Sequence, residues 1–164
     1  MKVIILAGGK GTRISEYTKQ IPKPMIHIGG KPILLHIIKL FKSYNFNEII
    51  IASGHKSNVI KRYFSNKKKF PKIKVIHTGN KTMTGGRILR LKKYFKKNEN
   101  FFMTYGDGLS NVDLNKLKKF HESHNKLATV TAVRPPIRFG ELDLGKKNEV
   151  KRFEEKPQLK HGWI

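Results

Sequence analysis

Short apolar runs alternate along the chain with segments whose apolar residues recur at helical spacing. A run of four or five apolar residues between polar segments is typical of a strand that is buried on both faces of a sheet. The strands predicted in this way span residues 3–6, 48–52, 73–76, 101–104, 127–133 and 150–153. The predicted helices span residues 32–44, 55–64 and 86–95, and a fourth begins after Asp113, a residue suited to capping it. Strands that alternate with helices predict an α/β fold that is Rossmann-like, a mainly parallel open sheet with helices on both faces.

A glycine-rich segment, Gly8-Gly9-Lys10-Gly11-Thr12-Arg13, follows the first predicted strand directly. Glycine allows the backbone to approach a ligand closely, and successive exposed amides form a concavity that binds anions. Lys10, Arg13 and Lys23 add positive charge, and Lys23 is set between two prolines. The segment therefore predicts a loop that binds the phosphates of a nucleotide. The glycines alone would also fit a strand-to-helix turn without any ligand.

One carboxylate, Asp107, lies between Gly106 and Gly108 just after the fourth predicted strand. Loops that follow parallel strands gather at one edge of the sheet, so Asp107 is expected beside the glycine-rich segment. Mg²⁺ prefers one or two carboxylates together with phosphate oxygens and water. This placement predicts Asp107 as a magnesium ligand, although an Asp-Gly turn without a metal also fits the residues.

The composition and charge of the chain indicate which kinds of partner it binds. Lysine and arginine number 35 against 11 acidic residues, a formal net charge of +24, which is typical of nucleic-acid binders. The lysines are scattered rather than clustered, however, and we predict no nucleic-acid partner but an attraction for anionic substrates. There is no cysteine, no apolar run of membrane-spanning length and no room for a signal peptide before the first strand. We therefore expect a cytoplasmic protein with no membrane partner.

Several strings of residues resemble those of the sugar-phosphate nucleotidyltransferases. The strings typical of the whole family are Leu6–Arg13, Pro22–Met25 and Gly30–Ile33. The strings that resemble its cytidylyl branch are Met83–Arg87, Thr104–Gly108 and Phe139–Asp143. The likeness extends from Met1 to Ile164, and it implies a glycosyltransferase-A-like nucleotidyltransferase fold in a single catalytic domain.

The resemblance implies a reaction in which a sugar 1-phosphate attacks the α-phosphorus of a nucleoside triphosphate, with Mg²⁺ as cofactor. For the cytidylyl branch the substrates are CTP and glucose 1-phosphate, and CDP-glucose serves cell-surface polysaccharide synthesis. The catalytic residues would be Arg13, Lys23 and Asp107, with Asp107 the metal ligand. The nucleotide-binding residues would be Leu6, Ala7, Gly8, Gly9, Lys10, Gly11, Thr12, Arg13, Lys23, Thr82, Arg87 and Gly106. The residues for the sugar phosphate would be Gly140, Glu155 and Lys156.

The sequence also departs from the pattern of this family. Members of the family continue beyond the position of Ile164 with more sheet and a second metal-binding carboxylate, so we expect a fold that is incomplete at the C-terminus. We expect the partners to be small-molecule substrates and either a homo-oligomer or a complementing C-terminal fragment. Two alternatives remain open at this point, an inactive module that binds a nucleotide or sugar nucleotide and a basic nucleic-acid-binding protein.

Overall fold

The computed structural model describes residues 1–11, 15–158 and 162–163, so the predictions for Thr12 and Arg13 lie outside the described residues. The chain divides into two compact units, Met1–Leu117 and Lys118–Ile164. The expectation of one catalytic domain over residues 1–164 stays a prediction. The strands are β1 (Lys2–Ala7), β2 (His27–Ile28), β3 (Lys31–Pro32), β4 (Ile49–Ser53), β5 (Ile73–His77), β6 (Phe101–Tyr105), β7 (Glu141–Leu144) and β8 (Val150–Glu154). The helices are α1 (Ser15–Thr18), α2 (Ile33–Ser43), α3 (Ser57–Tyr63), α4 (Thr84–Arg90) and α5 (Leu114–Glu122), and 3₁₀ turns span Lys23–Met25 and Lys92–Tyr94.

The first unit is built on a parallel sheet with the strand order β5-β4-β1-β6. Each of its four strands was predicted, because each contains a largely apolar segment of the kind found in parallel sheets. The central strand β1 is in register with both neighbours, since Ile5 lies opposite Ile51 of β4 and Thr104 of β6. The mainly parallel α/β fold predicted from the sequence is therefore confirmed.

Alternate residues of the sheet belong to two apolar layers. Val3 and Ile5 of β1 pack with buried residues of α2 and α3. Ile4 and Leu6 face the opposite layer, where they pack with Leu91 at the end of α4. Helices thus cover both faces of the sheet, and the carboxyl ends of its strands are left to the connecting loops.

Truncation of the core is expected to destabilise the first unit strongly. Ile51 is inaccessible to solvent, and Ile51→Ala is expected to lower the free energy of unfolding by about 2–5 kcal/mol through lost burial and a residual cavity. The matched control is Leu89→Ala on α4, where the leucine is 70 % exposed and a change within about 0.5 kcal/mol is expected. Urea unfolding followed by circular dichroism measures both values, and equal losses would contradict the assignment of Ile51 to the core.

The predicted cap of α5 is confirmed. Asp113 Oδ1 accepts hydrogen bonds from the backbone amides of Asn115 and Lys116, each at 3.0 Å. These amides belong to the first turn of the helix, where no carbonyl within the helix is available to them. The aspartate therefore fixes where the helix begins.

The second unit contains an antiparallel hairpin, β7 and β8, with an irregular register between Asp143 and Leu144. The strand predicted at residues 127–133 is wrong, because this segment forms no strand and Leu127 is fully exposed. Its β-branched residues favour extended backbone, but a strand also needs a partner for its hydrogen bonds, and no described segment pairs with it. Across the described ranges, no helix has both the length and the apolar character needed to cross a bilayer.

Candidate nucleotide site

A cavity of about 570 Å³ opens in the first unit at the carboxyl ends of β1 and β6. The 3₁₀ turn at Lys23, residues 82–84 with Arg87, and the loop after β6 form its walls. The lining residues are Leu6, Ala7, Gly8, Gly9, Gly11, Lys23, Pro24, Thr82, Met83, Thr84, Arg87, Tyr105, Gly106 and Asp107. Ligands of open α/β sheets bind at this edge, so the cavity lies where the fold predicts a site.

The glycine-rich loop supplies the floor of this cavity. Gly11 has a φ of +68°, a conformation that favours glycine, and its carbonyl accepts a hydrogen bond from Thr18 Oγ1 at 3.2 Å. Within the described part of the chain, the amides of Gly9, Lys10 and Gly11 donate no hydrogen bond to another residue. Backbone amides that protein atoms leave unused are available to an anionic ligand.

Lys23 and Asp107, which both line the cavity, form an ion pair with 2.6 Å between Nζ and Oδ2. Both side chains are about one-third exposed, so each can exchange its partner for a ligand. Lys23 begins the 3₁₀ turn whose other residues, Pro24 and Met25, are buried, and this anchors the lysine. Gly106 fits closely beneath the turn, because a Cβ there would lie 2.9 Å from Pro24 Cγ. Tight local packing therefore fixes the backbone that carries Lys23 beside the loop after β6, while the two charged side chains stay partly exposed.

The residues of this cavity fit a magnesium ion only as part of a complex with substrate. Asp107 offers one carboxylate, and no group of three or more metal-ligating side chains occurs in residues 1–11, 15–158 and 162–163. Mg²⁺ accepts such a site when phosphate oxygens and water complete its octahedron. Asp107 would then hold the ion against the phosphates of a bound nucleotide.

Arg87 is buried in the wall of the cavity, where its guanidinium bonds to the protein itself. Nη2 donates to the carbonyl of Gly8 at 2.9 Å. Nη1 donates to Thr78 Oγ1 at 2.8 Å and to the carbonyls of Ser53 and Gly79 at 3.2 and 2.8 Å. Burial lowers the pKa of the guanidinium from its ordinary value, and the neighbouring charge of Arg90 adds to this. The contact of Arg87 with a nucleotide stays a prediction.

The residues predicted for the sugar phosphate lie in the second unit, around the hairpin. Glu155 and Lys156 follow β8, are exposed and form a loose ion pair at 3.7 Å. Gly140 precedes β7, and a Cβ on it would lie 3.3 Å from Glu155 Oε2 and closer still to the ring of Phe153. Gly140 and Glu155 are therefore neighbours, as one site would require, and their role stays a prediction.

Most of the residues predicted to bind a nucleotide line the cavity. Lys10 is exposed and is not among the described lining residues, while Thr12 and Arg13 lie outside the described part of the chain. The sequence reasoning did not select Pro24, Met83, Thr84 and Tyr105 as site residues, although they line the cavity. Pro24, Met83 and Tyr105 directly adjoin a selected residue and Thr84 lies two residues after one, and this closeness in sequence is the signal that could have found them.

Comparison with known proteins decides the family. The sequence matches the nucleotidyl transferase profile from residue 2 to residue 162. The chain belongs to the nucleotidyl transferase family. The cavity of this family member combines a glycine-rich loop with a lysine and a carboxylate.

Individual proteins agree with the family assignment. The chain is 43% identical to glucose-1-phosphate cytidylyltransferase of Salmonella typhimurium strain LT2, over 96% of this chain and 70% of that protein. It is 38% identical to the D-glycero-alpha-D-manno-heptose 1-phosphate guanylyltransferase of Campylobacter jejuni, over 100% of this chain and 72% of that protein. A crystal structure of a putative glucose-1-phosphate thymidylyltransferase from Bacillus anthracis shares the fold, with a TM-score of 0.70 at 22% identity, over 96% of this chain and 65% of that one.

Proposed function

We propose that this nucleotidyl transferase joins the cytidylyl group of CTP to glucose 1-phosphate and releases pyrophosphate. The observation that carries the proposal is a cavity lined by Gly9 and Gly11, whose amides donate to no described residue, and by the Lys23–Asp107 ion pair. Donors of this kind suit a polyphosphate, and the carboxylate suits its counter-ion. The 43% identity to a glucose-1-phosphate cytidylyltransferase supports CTP and glucose 1-phosphate as the substrates.

In the proposed reaction a phosphate oxygen of the sugar phosphate attacks the α-phosphorus of CTP. The bond from the α-phosphorus to the bridging oxygen breaks, and pyrophosphate leaves with the electron pair. No covalent enzyme intermediate is needed, because the protein positions the two phosphates and neutralises their charge. Loop amides hold the triphosphate, and Lys23 stabilises the charge that develops at the α-phosphate. Mg²⁺ bound at Asp107 supplies further neutralisation of the phosphate oxygens.

The remaining roles in this proposal follow the resemblance. Thr82 and Arg87 lie beside the pyrimidine nucleotide, and Gly106 packs against it. Glu155 binds sugar hydroxyls and Lys156 the sugar phosphate, while Gly140 permits a close approach of the hexose. The product, CDP-glucose, serves as a precursor for cell-surface polysaccharide.

An assay of pyrophosphate release tests the proposal. The protein is incubated with Mg²⁺, each of the four common nucleoside triphosphates in turn, and glucose, mannose or heptose 1-phosphate. We expect CTP with glucose 1-phosphate to give the highest kcat/KM of all pairs. A preference for GTP with heptose 1-phosphate would contradict the proposed substrates, since the guanylyltransferase relative is named for that sugar. Binding of Mg²⁺–CTP without any release of pyrophosphate would instead indicate a nucleotide-binding module.

A further inference from the structure

Arg87 connects three loops at the carboxyl edge of the sheet. The residue is buried, with a relative exposure of only 6%. Its acceptors lie on the residue after β1 (Gly8), at the end of β4 (Ser53) and just after β5 (Thr78 and Gly79). A planar guanidinium with donors at fixed angles can hold several carbonyls at once in one arrangement. Arg87 therefore fixes the start of the glycine-rich loop relative to the neighbouring strands.

The bond to Gly8 determines which way the next amide points. A trans peptide directs its carbonyl oxygen and its N–H to opposite sides, and no cis peptide bond occurs in the described residues. The Gly8 carbonyl points to Arg87 Nη2 at 2.9 Å and accepts a second bond from the backbone amide of His55 at 3.3 Å. The N–H of Gly9 consequently points away from Arg87. Gly9 is exposed and lines the cavity.

This orientation is not secured by the loop itself. The peptide joins two glycines, and glycine populates backbone conformations on both sides of φ = 0 with similar ease. If the peptide turned over, the Gly8 carbonyl would face the cavity and would repel a triphosphate. The hydrogen bond from the buried guanidinium opposes that rotation, because a buried donor that loses its acceptor is costly.

We propose that Arg87 is a positioning residue that acts on the phosphates through the loop. It holds the Gly8–Gly9 peptide so that the Gly9 amide donates to a polyphosphate in the cavity. This proposal rests on the proposed function for the identity of the anion. It assigns Arg87 an action on the phosphates that is independent of any contact with the base.

Two variants disturb the arrangement by different routes. Arg87→Lys keeps a positive charge but loses the fork that reaches Gly8, Thr78 and Gly79 together. Gly54→Ala retains the arginine at position 87. The added Cβ would lie 2.7 Å from both Arg87 Nη1 and the Gly8 carbonyl oxygen, so it would push the two groups apart. Gly54 is absent from the described lining residues of the cavity, so this variant changes no ligand contact directly.

The matched control is Gly85→Ala in α4. A Cβ at Gly85 would enter open space, and alanine is a better helix former than glycine. Gly85 lies two residues from Arg87 in sequence, yet it is likewise absent from the cavity lining that the structure describes. This control therefore separates a general effect of adding a methyl group from displacement of the Arg87–Gly8 contact.

Calorimetric titration with Mg²⁺–CTP and with Mg²⁺–tripolyphosphate tests the proposal. We expect Arg87→Lys and Gly54→Ala to weaken both ligands by about tenfold or more, as for a lost hydrogen bond to a charged group, and Gly85→Ala to match the wild type. Amide NMR supplies a readout that general destabilisation would not move. In the wild-type protein, tripolyphosphate is expected to shift the Gly9 amide proton, and in the two disturbed variants this shift is expected to be lost.

Three results would overturn the proposal. First, the chemical shift of the Gly9 amide proton could stay unchanged when the wild-type protein binds tripolyphosphate. This result can be observed without any variant. Both disturbed variants could bind the two ligands as the wild type does, or they could lose affinity for CTP alone, which would indicate a base contact. These three outcomes leave the proposed function intact. If the wild-type protein binds neither Mg²⁺–CTP nor Mg²⁺–tripolyphosphate, the proposed function fails together with the role of Arg87.

Discussion

Replacement of Asp107 by asparagine is expected to abolish Mg²⁺-dependent release of pyrophosphate. Asparagine keeps the size of the side chain but removes the negative charge that a hard divalent cation requires. It also removes the partner of Lys23 in the free protein, where the two groups are 2.6 Å apart. Turnover measured as a function of Mg²⁺ concentration checks the prediction. Any residual activity is expected to need far more Mg²⁺ than the wild-type protein.

The matched control for this variant is Asp113→Asn. Asp113 caps α5 and is not one of the described lining residues, and asparagine caps a helix about as well as aspartate. The control is therefore expected to leave both stability and turnover unchanged. Normal turnover of Asp107→Asn at ordinary Mg²⁺ would refute Asp107 as the metal ligand.

Lys23→Met is expected to lower kcat/KM by about 10²–10³, the loss typical of removing one preorganised donor from developing charge. Methionine retains most of the apolar stem, so the packing of the 3₁₀ turn is preserved. Steady-state kinetics at saturating Mg²⁺ measure the loss. The Mg²⁺ dependence of the residual activity is expected to resemble that of the wild type, because Asp107 is still present.

A change of the same kind away from the cavity provides the control. Lys61→Met removes an exposed lysine of α3 and is expected to leave kcat/KM unchanged. If Lys23→Met and Lys61→Met had equal effects, a specific role for Lys23 would be excluded. The double variant Lys23→Met/Asp107→Asn is expected to lose less than the two separate losses combined, because residues in direct contact do not act independently.

The arrangement of the first unit could be predicted from the sequence because its central strands, β1 and β4, are buried on both faces. A segment such as residues 3–6 has no polar position, and its length excludes most helices. When neighbouring strands run parallel, the loops that follow them must meet at one edge of the sheet. Asp107 was expected at that edge because it follows a predicted strand, and Lys23 was assigned to the site by its charge and by the resemblance. The structure brings the two side chains into contact.

Contacts that depend on three-dimensional packing could not be predicted in this way. The four bonds of Arg87 join residues from three separate loops, and no local pattern marks the carbonyls that accept them. At residues 127–133 the sequence predicted a strand that does not form, because the pattern favours extended backbone but no described segment pairs with it. The strand β7 was not predicted for a related reason: only its pairing with β8 distinguishes the short segment Glu141–Leu144 from a loop.

The central position of β1 has a consequence for how a substrate enters and leaves. From Val3 to Ala7 the strand is almost inaccessible to water, whereas Gly9, two residues later, is exposed. Hydrogen exchange should therefore be slow from Val3 to Ala7, where only global opening exposes the amides, and fast at Gly9. The Gly9 amide can open while β1 stays paired, so the departure of an anion bound there is expected to require no partial unfolding of the sheet.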